Sequence, residues 1–392
     1  MAWEVDVEKL ERVRARMAEE DLDAIVARAP DNVLYLTNYW CMKGYDAVVF
    51  PREGDPTLIV SAPQMTDAER MSWTKDIRLF DGYDPSDPRP PTDRSLDLCL
   101  SVLKERGLDR RIGLELSQGV QGIDRMVGEP TVYSKPWFDA FAAGCREVVD
   151  ASPLLASTRM IKTSQELERM KLANELATLG LQHVKELLVP GMRCSEAGAA
   201  FEGFVHANGV GYKNKVEMAR AFTLVWSGPG IRTFTATSDM PVYEHEPTLF
   251  EIWVCADGYW TDLTKNLCPG ELDPRYDELL DMLLGVYHEA VGIARAGARI
   301  GELDRLMRQR IAEAGYPGQP SHAVAHGVGA RAHEPPFAHQ AAEGVMQAGM
   351  VFAIEPGVYW EGGGGLRLED DYLITADEPE RLCEFPDDFR TL

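Results

Sequence analysis

The chain has 392 residues, of which 45% are hydrophobic, so it has enough material for two domains with buried cores. Its 63 acidic residues outnumber its 40 basic ones and give a net charge of −23, which argues against binding to nucleic acids or to anionic membrane surfaces. No apolar stretch approaches the roughly 20 residues that a membrane-spanning helix needs. The seven cysteines form no C-x-x-C pair and the acidic N-terminus lacks a signal-peptide pattern, so we expect a cytoplasmic protein with reduced thiols.

Strand-like and helix-like patterns alternate through the first part of the chain. In order, they predict a helix over 6–20, a strand at 23–27, a turn at 30–32, a hairpin of 47–50 with 56–60, a helix over 93–106 and a strand at 111–115. Such alternation is typical of an α/β layer structure. We therefore predict a smaller N-terminal α/β domain over residues 1–157.

The pattern changes at a helix-start signal near residue 163. Thr163 and Glu166 have the spacing of a capping box, in which each side chain accepts from the other residue's backbone N–H group. A long amphipathic helix follows, and Pro190 and Gly191 close it. Further helices are predicted at 195–207, 274–296 and 301–314, and strands at 219–226, 248–254, 259–267, 350–355 and 366–374. We predict a C-terminal α+β domain over residues 158–392.

Three of the eight histidines fall within one short segment, residues 322–336. They are His322, His326 and His333. A neutral imidazole is the commonest metal ligand in proteins and the usual general base near pH 7. Gly327 and Gly329 lie between the last two histidines and allow the backbone to run close to another group. The segment therefore marks a candidate site.

An acidic hairpin is the first partner for these histidines. Two strand-like runs are joined at Asp257 and Gly258, a pair typical of a two-residue turn. If the turn is centred just before Asp257, Glu251 lies directly opposite Asp262, with their Cβ atoms ~5 Å apart. Like charges that face each other destabilise a sheet unless a positive group lies between them. The apolar neighbours indicate a buried position, so the pair predicts a bound cation.

Two further carboxylates follow the histidine segment. Glu355 stands at the end of an apolar strand, directly before a proline and a glycine. Alternation along the last long strand places Arg367, Glu369 and Asp371 on one face. The glycine-rich loop at 362–365 allows this strand to fold back beside the strand that ends at Glu355.

Together these segments offer four carboxylates and an imidazole. Oxygen-rich sites with a single imidazole suit Mn²⁺, Fe²⁺, Co²⁺ or Zn²⁺ better than they suit the thiolate chemistry of structural zinc. Two such ions held a few Å apart can share a water, lower its pKa towards ~7 and polarise a carbonyl. A histidine that is not a ligand can carry protons or stabilise a tetrahedral oxygen. The sequence therefore predicts a hydrolytic centre with one or two divalent ions.

From about residue 158 to its end, the chain resembles the pita-bread metallopeptidase superfamily, M24, which includes methionine aminopeptidase, aminopeptidase P, prolidase and creatinase. The resemblance depends on the order of four motifs: the acidic hairpin, His-x-x-Gly-x-x-x-His-Glu, a strand ending in Glu-Pro, and Arg-x-Glu-Asp. The leading α/β domain and the junction at 159–164 are similar to the creatinase, prolidase and aminopeptidase P branch. The implied fold is a C-terminal pita-bread domain preceded by a smaller creatinase-like α/β domain.

The resemblance also implies roles for individual residues. The implied metal ligands are Glu251, Asp262, His326, Glu355 and Glu369. The implied catalytic residues are His322, His333, Glu355 and Arg367. In these roles His333 stabilises the oxyanion, Glu355 or Glu369 accepts a proton from water, and His322 with Arg367 anchors a substrate carboxylate.

Two positions depart from the family pattern. The first metal aspartate of the family falls on Glu251, whose extra methylene displaces the carboxylate. The histidine that usually precedes the acidic hairpin has no match, and Thr233 stands in the aligned region. That histidine contacts the substrate in the peptidases and is the catalytic base in creatinase. Its absence argues against a creatinase mechanism.

Three functional hypotheses follow. The leading one is a metal-dependent hydrolase of dipeptides or related small amides, an Xaa-Pro dipeptidase or aminopeptidase P-like peptidase. The second is a metal-free C–N hydrolase, like creatinase or ectoine hydrolase, with Glu251 as nucleophile or base; a lyase on the same fold, like bacterial dimethylsulfoniopropionate lyase, is a variant. The third is a non-enzymatic binding protein. From the resemblance we also expect manganese among the candidate ions, and a homodimer in which the aromatic loop at 39–42 helps to form the partner's pocket.

Overall fold

The computed structural model describes residues 3–42, 44–117, 135–233, 235–237, 239–360 and 363–391. The chain forms two compact units, Met1–Arg159 and Met160–Leu392, each with its own sheets and apolar core. Within the described ranges, no helix combines the length and the apolar character needed to cross a membrane. All seven cysteines are free thiols, so no disulfide joins any part of the chain.

In its described residues, the N-terminal unit is a mixed sheet of six strands with helices packed against it. The strands are β1 (Ala24–Ala27), β2 (Ala47–Pro51), β3 (Thr57–Ser61), β4 (Asp76–Phe80), β5 (Arg111–Leu114) and β6 (Glu147–Asp150). The helices are α1 (Val7–Glu19), α2 (Pro30–Thr37), α3 (Met65–Met71), α4 (Pro91–Glu105), α5 (Lys135–Gly144) and α6 (Ser152–Arg159). The sheet order is β4-β3-β2-β1-β5-β6, with β2 antiparallel to both neighbours and the other pairs parallel. The predicted α/β architecture and the β2–β3 hairpin are confirmed.

One local prediction in this unit was wrong. Residues 30–32, predicted as a turn, form the start of α2. Pro30 occupies the first helical turn, where its missing N–H is not needed and its fixed φ suits the helix. Asn38 ends the helix in the left-handed conformation with φ of 64°. Pro, Asp and Asn begin helices as readily as they form turns, so composition alone did not decide between the two.

Over the residues that the structure describes, the C-terminal unit contains two larger sheets, a short hairpin and four α-helices. The helices are α7 (Ser164–Leu187), α8 (Cys194–Gly209), α9 (Pro274–Ile293) and α10 (Ile300–Glu313). The strands are β7 (Ala219–Ser227), β8 (Thr248–Ala256), β9 (Tyr259–Trp260), β10 (Leu263–Leu267), β11 (Ala325–Gly327), β12 (Glu334–Phe337), β13 (Val351–Ile354), β14 (Gly357–Tyr359), β15 (Gly365–Arg367), β16 (Asp370–Leu373) and β17 (Glu380–Arg381). The sheet orders are β10-β8-β7, with β9 also paired to β8, β12-β11-β13-β16-β17, and β14-β15. An isolated bridge between Thr264 and Glu369 joins the first sheet to the segment before β16.

The predicted capping box at the start of α7 is present. Thr163 Oγ1 accepts from the backbone N–H of Glu166 at 3.3 Å, and Glu166 Oε2 accepts from the backbone N–H of Thr163 at 3.0 Å. The hydroxyl of Tyr259 donates to the other oxygen of Glu166 at 2.8 Å. The helix start is therefore tied directly to the β8–β9 hairpin, which carries the acidic residues.

The register predicted for that hairpin was wrong by two residues. Asp257 and Gly258 both have positive φ, 47° and 86°, as the two central residues of a type I′ turn require. The turn is therefore centred between these two residues, and Ala256 pairs with Tyr259. With that register, Thr264 lies directly opposite Glu251, and Asp262 does not. In the observed register, the residue opposite Glu251 carries a hydroxyl and not a second carboxylate.

Candidate metal centre

The two larger sheets of the C-terminal unit bring the predicted ligands together. β11 pairs antiparallel with β13, which places His326 beside the strand that ends at Glu355. β13 pairs with β16, and extending that register by one residue brings Glu369 beside Glu355. Asp262 belongs to the other sheet and approaches across the Thr264–Glu369 bridge. The site is therefore built at the junction of two sheets.

His326 lies at the centre of the cluster. Its Nδ1 is 3.0 Å from the carbonyl oxygen of Gly327, so Nδ1 carries the proton and Nε2 the lone pair. That Nε2 atom is 3.4 Å from Glu355 Oε1 and 3.5 Å from Asp262 Oδ2. Burial, with a smaller effect of His333, lowers the pKa of His326 to about 4, so the ring is neutral at pH 7. A lone pair therefore faces two carboxylate oxygens, which is repulsive unless a cation lies between them.

Two buried atoms of this cluster, Asp262 Oδ2 and His326 Nε2, have no hydrogen-bond partner among the residues that the structure describes. Buried polar atoms are nearly always paired, so both atoms need an explanation. Ligand atoms of His326, Glu355 and Glu369 lie within 4.8 Å of one another, and so do those of Asp262, His326 and His333. Carboxylate oxygens with one imidazole suit a divalent transition-metal ion. The residues therefore fit the metal that the sequence implies.

The electrostatics of the carboxylates support the same conclusion. Burial raises the pKa of Asp262 well above its usual range, and the charges of Glu369 and Glu355 raise it further. Burial and the charge of Glu355 raise the pKa of Glu369 in the same way. For Glu355 burial also acts upwards, but His322, together with His326 and Arg367, outweighs it and lowers the pKa to about 2. A divalent cation would relieve the repulsion on Asp262 and Glu369, since ligands bind metal in their deprotonated form.

His333 lies at the more open side of the cluster. Its Nε2 is 3.2 Å from Asp262 Oδ2, and its ring centre is 4.5 Å from that of His326. The His333 side chain is 25% exposed, whereas those of Asp262 and His326 are 2% exposed. Its other neighbour is Trp253, whose ring centre is 6.3 Å away. His333 is therefore placed where a substrate could reach it.

Glu251 is the predicted ligand that lies apart. Neither group of close ligand atoms found among the described residues includes it. Its Oε2 is 2.9 Å from Arg367 Nη2, and its side chain is 16% exposed. Arg367 is itself buried and lies 3.7 Å from Glu369 Oε2 through its Nε atom. The structure thus brings Asp262, His326, Glu355 and Glu369 together and pairs Glu251 with Arg367.

Two family models together match most of the chain. The model of metallopeptidase family M24 matches residues 168–376, more than half of the chain, and that of the creatinase/prolidase N-terminal domain matches residues 9–161. The chain belongs to metallopeptidase family M24. The predicted resemblance and the predicted enzyme class, a metallohydrolase, are confirmed.

Relatives of this M24 chain match it along nearly its whole length. The Xaa-Pro dipeptidase of Pyrococcus furiosus is 26% identical over 379 residues, which are 96% of this chain and 98% of that protein. The prolidase from Pyrococcus horikoshii OT3 has a TM-score of 0.79 at 24% identity, covering 97% of this chain and 99% of that one. The X-Pro aminopeptidase from Thermotoga maritima MSB8 has a TM-score of 0.80 at 22% identity, covering 96% and 98%. These structures confirm the predicted fold, a pita-bread domain preceded by a creatinase-like domain.

The two glycines of the histidine segment allow the close approach that the sequence predicts. A Cβ at Gly327 would lie 2.5 Å from the carbonyl oxygen of Pro335. A Cβ at Gly329 would collide with Glu334 Oε1 and lie 2.9 Å from Lys162 Cε. Lys162 and Glu334 form a buried ion pair with Nζ and Oε1 2.9 Å apart. The group approached is therefore β12 together with this ion pair, next to His333.

The sequence prediction assigned no polar role to two residues of this M24 site, Tyr359 and Thr264. The Tyr359 hydroxyl accepts from Arg367 Nη1 at 3.2 Å and lies 3.0 Å from His322 Nε2. Thr264 Oγ1 donates to Glu369 Oε2 at 2.5 Å and accepts from Arg367 Nε at 2.7 Å. A signal for Tyr359 was available in the β14–β15 hairpin, whose register places it diagonally across from Arg367. Thr264 becomes visible only once the register of the acidic hairpin is correct.

Two other residues singled out by the sequence lie at the margin of the site. Asp371, predicted on one face with Arg367 and Glu369, accepts the backbone N–H of Asp262 at 3.3 Å. Asn174 donates to the same carboxylate at 3.2 Å, so Asp371 anchors the segment that carries Asp262. Thr233 is half-buried and makes no hydrogen bond to the site within the ranges that the structure describes.

Proposed function

We propose that this chain is a metal-dependent peptidase that cleaves Xaa-Pro dipeptides or the first bond of Xaa-Pro peptides. The observation that carries the proposal is the pair of unpartnered buried atoms, Asp262 Oδ2 and His326 Nε2, among the carboxylates of the metal centre. The substrate class is supported by the Pyrococcus furiosus relative named Xaa-Pro dipeptidase, which aligns with almost the entire chain.

The residues that would hold the ion are Asp262, His326, Glu355 and Glu369. When bound, a divalent ion polarises a carbonyl and lowers the pKa of a water molecule. Glu355 or Glu369 accepts the proton that the attacking water loses, since both carboxylates lie within the cluster. His333, the more exposed histidine beside Asp262, donates a hydrogen bond to the carbonyl oxygen as negative charge develops there.

His322 and Tyr359 position one of these carboxylates. Because the guanidinium of Arg367 can only donate, the Tyr359 hydroxyl accepts from it and donates its own proton to His322 Nε2. The imidazole proton of His322 is then on Nδ1, which lies 2.5 Å from the carbonyl oxygen of Ala323 and 3.2 Å from Glu355 Oε2. The direct contact of His322 and Arg367 with a substrate carboxylate stays a prediction.

Finer expectations belong to the same proposal. The ion is Mn²⁺, Fe²⁺, Co²⁺ or Zn²⁺, with manganese as the first to test, because the donor set is rich in oxygen. The enzyme is a homodimer, which sedimentation equilibrium would test, and it resides in the cytoplasm. The seven free thiols are compatible with a reducing compartment.

The decisive experiment combines metal analysis with a dipeptide assay. Protein purified without chelators should contain a transition metal, hydrolyse Ala-Pro in preference to Ala-Ala, lose activity in EDTA and regain it with Mn²⁺. Glu369→Gln should lose both metal and activity. Glu289→Gln, the same change on an exposed surface of α9, should retain both. Hydrolysis by metal-free protein that survives EDTA would contradict the proposal and point to the metal-free C–N hydrolase.

A further inference from the structure

Glu251 is separated from the metal centre by its own contacts. It lies on β8 opposite Thr264, and its carboxylate is directed to the guanidinium of Arg367 at 2.9 Å. Aspartate at this position would have a shorter reach, and the additional methylene of glutamate lets the carboxylate meet the guanidinium. None of the ligand groups found in the described part of the chain contains Glu251.

All three nitrogens of the Arg367 guanidinium face protein groups. Nε donates to Thr264 Oγ1 at 2.7 Å and Nη1 donates to Tyr359 Oη at 3.2 Å, whereas Nη2 forms an ion pair with Glu251 without a hydrogen bond. The Arg367 side chain is 4% exposed, and Asn266 Nδ2 donates to its backbone oxygen at 2.8 Å. If Glu251 turned away to bind a metal ion, the buried guanidinium would lose its nearest anion and keep only the longer contact with Glu369 at 3.7 Å, which is unfavourable.

Glu369, on the same side of the site, also has contacts with protein groups. Thr264 Oγ1 donates to Glu369 Oε2 at 2.5 Å, and the Arg367 Nε atom lies 3.7 Å from that oxygen. One oxygen of Glu369 is therefore already engaged by the protein. Two ions a few Å apart need carboxylates that offer an oxygen to each of them. Two of the five predicted ligands, Glu251 and Glu369, are therefore already engaged by Arg367 or Thr264, which leaves fewer free oxygens for a second ion.

We propose that this chain binds one divalent ion per active site, and that the guanidinium of Arg367 takes the electrostatic role of a second cation between Glu251 and Glu369. This inference rests on the proposed function, because it takes Asp262, His326, Glu355 and Glu369 as the ligands. Glu251 is then a partner of Arg367 and does not coordinate the ion. The unpartnered atoms agree with this arrangement, since Asp262 Oδ2 and His326 Nε2 face each other at 3.5 Å and mark a single position.

The test uses Mn²⁺ as the probe and reads out stoichiometry rather than activity. The metal-free full-length protein is titrated with Mn²⁺ by calorimetry, and the loaded protein is examined by electron paramagnetic resonance. One ion per chain and a six-line spectrum of an uncoupled ion are expected. Two ions with an exchange-coupled spectrum would overturn this inference and leave the proposed function standing. No bound ion would overturn both.

Two substitutions sharpen the test. Glu251→Gln should still bind one ion with an unchanged dissociation constant, whereas loss of a ligand or its support weakens binding by roughly 10–100-fold or more. Arg367→Gln removes the resident charge and should admit a second Mn²⁺, and the double variant Arg367→Gln with Glu251→Gln should return to one. Weaker binding of the first ion in Glu251→Gln would make Glu251 a ligand and overturn the inference. If a variant fails to fold, as judged by circular dichroism, the stoichiometry and spectrum of the unmodified chain decide alone.

Discussion

Two buried clusters of charged residues in the C-terminal unit differ in their charge balance, although the same two segments supply residues to both. Thr264 and Glu369 face the metal centre, whereas the next residues, Lys265 and Asp370, belong to a second cluster on the other side. We call it the lysine cluster; it consists of Lys265, Asp370, Arg381 and Asp387. Neighbouring residues of an extended strand point to opposite faces, so one pair of segments supplies both clusters.

The lysine cluster is balanced, with two cations and two anions. Lys265 Nζ lies 2.6 Å from both Asp370 Oδ1 and Asp387 Oδ1, and Arg381 contacts the same two carboxylates at 2.6 and 3.0 Å. Burial alone would lower the pKa of Lys265, but the two aspartates outweigh it and raise the pKa to about 12. The Tyr287 hydroxyl adds a hydrogen bond to Asp370 at 2.8 Å. The formal charges of this cluster therefore cancel without an added ion.

The metal centre is equally buried but not balanced. Asp262, Glu355 and Glu369 surround a neutral His326, and the nearest guanidinium is already paired with Glu251. The difference shows that residue types alone do not distinguish a structural charge cluster from an ion site. The distinguishing quantity is the charge that the protein itself fails to neutralise once the groups are buried.

The largest expected effect comes from removing one of the uncompensated charges. Asp262→Asn should abolish metal binding and reduce kcat by ~10³-fold or more, since metal catalysis contributes several kcal/mol and each 1.4 kcal/mol is a factor of ten. At pH 7 the metal-free variant should also unfold at a higher temperature than the metal-free unmodified chain, because a buried charge with a raised pKa is gone. Activity assays, metal analysis and thermal unfolding test this prediction.

A surface substitution of the same type provides the control for Asp262. Asp277→Asn changes a side chain that is 46% exposed and pairs with Arg390, so it should leave metal content and kcat unchanged. Retention of a full metal complement by Asp262→Asn would contradict the assignment of Asp262 as a ligand.

Removing one anion from the lysine cluster should lower the stability of the fold without affecting metal binding. Asp387→Ala leaves the buried Lys265 with one anion fewer, and breaking a buried pair in this way costs about 3–5 kcal/mol of the free energy of unfolding. Metal content and the dissociation constant for Mn²⁺ should be unchanged. The neighbouring Asp388→Ala removes a partly exposed pair with Arg390 and should cost under about 1 kcal/mol. Urea unfolding measures both values, and equal losses in the two variants would show that burial does not set the difference.

A substitution of His333 tests whether this histidine is a metal ligand or only a hydrogen-bond donor to the substrate. If this histidine stabilises developing charge and is not a ligand, His333→Gln should lower kcat by roughly 10²–10³-fold, the usual effect of losing one such donor. The metal content should remain complete, because Asp262, His326, Glu355 and Glu369 are retained. His288→Gln, on the exposed surface of α9, serves as the control. Loss of metal in His333→Gln would place His333 among the ligands with Asp262 and His326, a group that its geometry allows.

The sequence predicted those features of the fold and site that depend on local pattern. The capping box at Thr163 is set by residues three apart, and the approach of Glu369 to Glu355 follows from a glycine-rich reversal between two short strands. The register of the acidic hairpin was wrong because an Asp-Gly turn can be centred in more than one way, and a shift of two residues keeps the same face towards the core.

What could not be predicted depends on partners far apart in the chain. Lys265 and Asp387 are 122 residues apart, and Thr264 and Glu369 are 105 apart. No periodicity in either segment indicates which charges meet, so the pattern alone does not reveal that Lys265 neutralises one cluster while Glu369 lies in the other. The pairing of Glu251 with Arg367 is of the same kind, since it depends on the packing of β8 against the β14–β15 hairpin.

A third buried carboxylate, Asp46 in the N-terminal unit, extends the comparison because only neutral groups hold it. Its oxygens accept from the backbone N–H of Ser61 at 3.0 Å, from the Tyr39 hydroxyl at 2.9 Å and from Gln64 Nε2 at 3.0 Å. Burial nevertheless raises the pKa of Asp46 to about 6. Neutral donors therefore compensate this buried charge only in part, and in the lysine cluster burial likewise raises the pKa of Asp370 to about 7 although Lys265 and Arg381 act against it.

The raised pKa predicts how the stability of this unit varies with pH. A carboxyl group that titrates higher when folded stabilises the fold below its ordinary pKa near 4, and this contribution is lost as the pH rises through about 6. The loss amounts to about 3 kcal/mol. Other aspartates of the unit, such as Asp76 and Asp150, have lowered pKa values and act in the opposite direction, so only a difference between variants isolates Asp46.

The opening free energy of the β2–β3 amides, from hydrogen exchange between pH 4 and 7, should fall more steeply with pH in the unmodified chain than in Asp46→Asn. The exposed Asp55→Asn should follow the unmodified chain. Parallel curves for the unmodified chain and Asp46→Asn would mean that the three neutral donors compensate the buried charge fully. A buried carboxylate without a cation beside it would then not be a sign of an ion site.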